Sequence, residues 1–126
     1  MKLLTKAIEK KLERRGVKME YDLEDPVICK FFNPMGRGTW YVMHGYQLDN
    51  GDWLLYGLVN LIGDNHSFGS FLLSELAEVT LPWGLKIERD RHFDATYEDM
   101  ANLAGIHEVF LHDKSGRFEY WEECNG

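Results

Sequence analysis

Leu4, Ile8 and Leu12 recur every four positions, with Ala7 beside them and Lys, Glu or Arg between. That spacing predicts an amphipathic helix with one narrow apolar stripe over 4–15. Thr5 stands at the N-cap position and Gly16 where a C′ glycine belongs. After an acidic connector that ends at Pro26, the period becomes that of strands. Val27, Cys29 and Phe31 alternate with Ile28, Lys30 and Phe32, and Asn33-Pro34-Met35-Gly36 follows as a turn. Residues 38–46 and 53–59 form a second and third strand-like run around Asn50-Gly51, the dipeptide of a type I′ hairpin turn. Tyr46 and Trp53 are expected to pair across that hairpin.

Gly63-Asp64-Asn65 predicts another turn and 67–72 a short or edge strand. Ser74 is expected to cap a short helix over 75–78, and Pro82 and Gly84 break the chain before a strand over 85–91. Thr96-Tyr97-Glu98-Asp99 has the form of a capping box with Asp in the last place, opening a helix that runs to Ala104 and closes at Gly105. A final hairpin is expected from 106–112 and 117–122 around Asp113-Lys114-Ser115-Gly116. The expected fold class is α+β: an antiparallel sheet of about five to seven strands, an N-terminal amphipathic helix and one or two short helices on one side of the sheet or at its ends.

A chain of 126 residues with 44% hydrophobic side chains is expected to form one domain, 1–126, with one core. No apolar run approaches the length of a membrane span, and the charge after Leu4 is too high for the apolar segment of a signal peptide. Two cysteines, Cys29 and Cys124, are too few for a disulfide scaffold, so the expected setting is a reducing cytoplasm. The net charge is −7 and argues against general nucleic-acid binding. It is unevenly placed: residues 1–18 carry +5, and the rest of the chain −12. The basic segment reads as a solvated helix face against its own acidic body, or as a docking arm for an acidic partner. The acidic body keeps a small protein in solution, and can also imitate a phosphate backbone.

Candidate chemistry is sparse. Asp90, His92 and Asp94 would share one face of a strand and could hold a divalent metal, but Arg89 and Arg91 interleave them, and an ion-pair ladder is the expected reading. His107 and His112 face opposite sides of a strand and do not chelate together. Cys29 reads as a small buried hydrophobe, and Glu122 and Glu123 disfavour a thiolate at Cys124. There is no GxGxxG, no Walker pattern and no triad spacing; no metal, cofactor or catalytic residue is expected. Gly36-Arg37-Gly38 reads first as a turn, and with Arg89 offers an anion contact.

Adjacent aromatics carry the clearest hint. Trp40 and Tyr41 must point opposite ways on a strand, as must Tyr120 and Trp121. If a small domain buries only one sheet face, Trp40, Tyr46, Trp53, Tyr120 and Trp121 are candidates for a surface covered by a protein partner or a second copy of the chain.

The words Leu4-Thr5, Asp25-Pro26-Val27, Lys30-Phe31-Phe32, Thr39-Trp40-Tyr41, Gly51-Asp52-Trp53, Tyr56-Gly57-Leu58-Val59, Ser74-Glu75-Leu76 and Gly84-Leu85-Lys86-Ile87-Glu88-Arg89-Asp90 stand in order with similar gaps. On them the chain resembles the family called domain of unknown function 2958. The resemblance covers about 3–104 and leaves 105–126 as an added hairpin. It implies a mobile-element, plasmid or phage origin and a bacterial cytoplasm, and it brings no established activity or catalytic residue. The expected function is therefore non-enzymatic binding of a protein partner, for example a basic nucleic-acid-binding protein of a host defence complex. The alternative is a small-ligand, nucleotide-sequestering protein; a metal-dependent hydrolase or direct DNA binding through the basic arm ranks below both.

Overall fold

The computed structural model describes residues 2–18, 20–63, 65–105 and 117–118. Helix α1 spans Lys6–Arg15. Thr5 Oγ1 accepts the Ile8 N–H at 3.2 Å at its start, and the Gly16 N–H, in a left-handed residue with φ 69°, reaches Leu12 O at its end. Strands β1 (Tyr21–Asp22), β2 (Cys29–Phe32), β3 (Thr39–Gln47), β4 (Trp53–Ile62) and β5 (Asn65–Leu72) follow. Then come α2 (Leu73–Glu78), a 3₁₀ turn (Pro82–Gly84), β6 (Glu88–Arg89), α3 (Tyr97–Ala104) and β7 (Arg117–Phe118). Five strands form an antiparallel sheet in the order β5-β4-β3-β2-β6, and β1 pairs separately with β7. The α+β class is as the sequence predicts. Apart from β7, which pairs with Tyr21–Asp22, the expected C-terminal hairpin lies outside the described residues.

The sheet is covered on both faces, against the one-sided expectation. Phe31, Val42, Trp53 and Leu55 pack on one face with Leu4, Leu12 of α1 and Leu76 of α2. Met43 and Leu58 pack on the other with Tyr21, Val27, and Tyr97 and Met100 of α3. Apolar residues of both parities along β3 and β4 force this arrangement, because successive side chains emerge on opposite faces.

Two further expectations are corrected. The β3–β4 connection is a Leu48–Gly51 turn closed by a glycine of positive φ, not a type I′ turn. The Gly51 N–H donates to Leu48 O at 2.9 Å, Gly51 has φ 89°, and Asn50 is not left-handed. Asn50 Oδ1 instead accepts the Asp52 N–H at 2.9 Å, which fixes the longer loop. That register sets Tyr46 opposite Leu54 and Gln47 opposite Trp53, so Tyr46 and Trp53 project from opposite faces.

The expected strand over 85–91 is reduced to Glu88–Arg89, paired with Phe32 and Phe31. Asp90 ends it: its Oδ1 accepts the His92 N–H at 2.9 Å and bends the chain. Ser74 is not a cap. Helix α2 begins after Leu72, whose N–H donates to Glu75 Oε1 at 3.0 Å. Ser74 lies in the first turn, where Asp52 from the β3–β4 loop accepts its N–H at 3.1 Å and its hydroxyl at 2.5 Å.

Candidate functional site

The bulge in β3 organises the buried polar chemistry. Its register shifts between Val42 and His44, which frees the Met43 carbonyl to accept Tyr97 Oη–H at 3.0 Å. His44 is buried, and Tyr21 Oη lies 2.7 Å from its Nδ1. The His44 ring stacks on Tyr56 at 5.0 Å between centroids. Arg15, at the end of α1, donates from Nε to Tyr97 Oη at 3.1 Å and lies over the Tyr21 ring at 4.7 Å. Burial, then the nearby Arg15 charge, pushes the His44 pKa down to about 4. Burial holds the Tyr97 hydroxyl above its ordinary value. At pH 7 the Arg15 guanidinium is the charged member of the array, which ties α1, β1, β3 and α3 together.

The basic end of α1 does meet acidic neighbours. Arg14, Arg15 and Lys18 share a hollow of about 320 Å³ with Glu20, Asp22 and Asp25. Burial pushes the Cys29 thiol up to about 12, so it stays protonated.

An open cleft of about 720 Å³ lies where β2 and β6 meet the turn before β3. Register aligns two rows of side chains on this face of the sheet. Thr39, Phe32 and Glu88 form one; Tyr41 and Lys30, with Asp90 beyond, form the other. The Asn33–Gly38 turn and Asp90–His92 wall the cleft. Lys30 Nζ stands 3.9 Å from Asp90 Oδ2 and 5.6 Å from the centre of the Tyr41 ring.

The third feature is a turn tip. Leu81 N–H donates to Leu85 O at 2.8 Å and Gly84 N–H to Leu81 O at 3.1 Å, closing a tight turn. At its tip Trp83 is 88% exposed and adopts φ 60°, ψ 24°, a left-handed conformation that a bulky side chain rarely takes.

The sequence-proposed residues scatter. Trp53 is 3% exposed in the core and offers no surface to a partner. Trp40 is half-buried against the same core. Tyr46 is 50% exposed on the opposite face, and Tyr120 and Trp121 lie outside the described residues. Arg89 lines the cleft, but its Nη1 donates to the carbonyls of Lys2 and Leu3 at 2.7 Å each, fastening the N-terminal segment to β6. Arg37 projects toward the Gly63 turn and not into the cleft. Asp90, His92 and Asp94 do not share a strand face, since β6 stops at Arg89. Among the described residues, no group of three or more His, Cys, Asp and Glu is placed to hold a metal ion.

Trp83 and the exposed cleft residue Arg91 were missed as binding residues. For Trp83 the signal was there: a large aromatic between Pro82 and Gly84, inside a chain break, has no strand or helix to carry it into a core.

These features define a small α+β protein with a sheet covered on both faces, a charged cleft at one sheet edge and a tryptophan-tipped turn. The chain belongs to the family described as protein of unknown function (DUF2958), whose model matches residues 3–107. No curated protein and no solved structure matches it. Among the described residues no helix is long and apolar enough to cross a membrane.

Proposed function

We propose that the protein acts by binding a protein partner rather than by catalysis, with Trp83 as its anchor. The observation that carries this reading is the combination of exposure and conformation at that residue. A solvent-facing tryptophan gains nothing for folding, yet here it is held in a strained backbone state by a closed turn. Tryptophans presented rigidly are the side chains that dominate protein interfaces, because little conformational freedom is lost when they enter a pocket. Pro82 and Leu85 beside it are exposed and extend the apolar tip. The partner this surface suits has an apolar socket with a basic rim, since the chain outside its first 18 residues carries −12. A basic nucleic-acid-processing or defence complex of a bacterial host has that chemistry, and the cytoplasm and a mobile-element or phage origin belong to the same reading.

The test is affinity capture from a nuclease-treated bacterial lysate with the wild type, Trp83→Ala and Trp83→Phe, after circular dichroism shows all three folded. One stoichiometric protein is expected with the wild type, lost in Trp83→Ala and partly regained in Trp83→Phe. Its release in high salt would report the acidic body. Equal capture by Trp83→Ala overturns the assignment.

A further inference from the structure

We infer that the cleft between β2, β6 and the Asn33–Gly38 turn is a binding site for a nucleoside monophosphate, independent of the Trp83 tip. The volume, about 720 Å³, is that of a small-molecule site. The Arg89 guanidinium is turned to the Lys2 and Leu3 carbonyls, so the cleft sets Lys30 and Arg91 against Glu88 and Asp90, a balanced charge on a chain of −7. The acids are not equivalent. Asp90 is engaged by the His92 N–H and by Lys30, so it does little to repel an incoming anion.

Arg91 and His92 are exposed, and among the described residues their side chains make no hydrogen bond or ion pair. Lys30 stands on the cleft floor beside them. Together they form a donor cluster that suits a phosphate, the guanidinium offering paired N–H groups. Opposite, a Cβ at Gly36 would meet nothing within 4 Å, so a ligand can approach the turn backbone closely there.

The rest of the floor distinguishes a nucleotide from a bare anion. Phe32 lies between Thr39 and Glu88 in one cross-strand row, with its alternate neighbour Phe31 committed to the core. An aromatic ring at the cleft floor provides a stacking surface for a base. The Glu88 carboxylate beside it accepts N–H groups from a base edge or a sugar hydroxyl, and a purine with adjacent N–H donors, as in guanine, matches it best.

The experiment is titration of the full chain with guanosine 5′-monophosphate, followed by ¹H–¹⁵N spectra and calorimetry, with inorganic phosphate and guanosine titrated separately. Saturable shifts at Arg91, His92 and Phe32 are expected, with phosphate and guanosine alone each binding at least about tenfold more weakly. Arg91→Ala is on the surface and should weaken the nucleotide about tenfold without changing the fold. Phe32→Leu should weaken it similarly while leaving the response to phosphate unaltered, a loss in the range of one stacked base. Absence of saturable shifts at these residues overturns the inference. So does unchanged affinity in Arg91→Ala, or inorganic phosphate binding as tightly as the nucleotide.

Discussion

Tyr21 Oη and His44 Nδ1 share a hydrogen bond of 2.7 Å, in a site where the histidine is only 6% exposed. Burial of the ring disfavours its charged form. Arg15 lies over the Tyr21 ring and opposes a second positive charge nearby. Folding therefore selects neutral His44, and the selection makes stability depend on pH.

The sign follows from the two protonation states. The unfolded histidine takes up its proton near 6.5, whereas the folded one resists until about 4. Above that window His44 is neutral in both states and has no effect. As pH falls through it the unfolded chain gains a proton that the folded chain refuses, and stability is lost, by at most about 3 kcal/mol. Urea unfolding midpoints at pH values on either side of the window should show the fall. His44→Gln keeps an acceptor for Tyr21 and removes the titration, so its midpoints should be flatter there. The Asp52 carboxylate, held low first by its hydrogen bond from Ser74, acts in the same direction only at more acid pH.

Arg15→Lys separates charge from shape. The guanidinium reaches Tyr97 Oη through Nε and the carbonyls of Lys18 and Glu20 through Nη2, at 2.9 Å each, while its carbon stands over the Tyr21 ring. Lysine keeps the charge and loses the fork. A loss of about 2 kcal/mol in denaturant unfolding is expected. A loss near zero would mean that only the charge matters.

Local signals were legible and tertiary ones were not. Thr5 and Gly16 bound α1, and the Thr96–Asp99 capping box and Gly105 bound α3, because each contact spans a few residues. The cap on α2 comes from Asp52, 22 residues upstream of Ser74, and no local pattern discloses it. The covering of both sheet faces was readable from Val42-Met43 and from Leu55 and Leu58, whose opposite parities exclude a one-sided sheet. Once both faces are covered, the argument from adjacent aromatics falls, and Trp40 and Tyr41 pack on separate clusters. The cleft was half-legible: Gly36, Gly38 and Arg89 were singled out, but only the β2–β6 pairing brings them beside Phe32 and Arg91.

Gly57 marks where the central strands come closest. It pairs with Val42 on one side and Gly69 on the other, and a Cβ there would overlap the carbonyl of Tyr41. The obstacle is backbone, which cannot rotate aside. Gly57→Ala should cost more than about 4 kcal/mol and leave little folded protein. Gly69→Ala is the matched control, since a Cβ there meets nothing within 4 Å; its unfolding midpoint should change by less than about 1 kcal/mol.

Trp83 gives the sharpest separation of stability from function. A left-handed residue with a Cβ costs roughly 1–2 kcal/mol, and glycine escapes that cost. The indole is 88% exposed, so removing it forfeits little packing. Trp83→Gly should therefore stabilise the fold by about 1 kcal/mol, a rise of a few degrees in Tm, while abolishing partner capture. Trp83→Ala keeps the strained backbone and loses the ring, so it should melt close to the wild type and also fail to capture. A Trp83→Gly variant that melted lower would show that the ring stabilises its turn, and the anchor would lose its physical basis. One that melted higher and still captured the partner would place the interface elsewhere on the molecule.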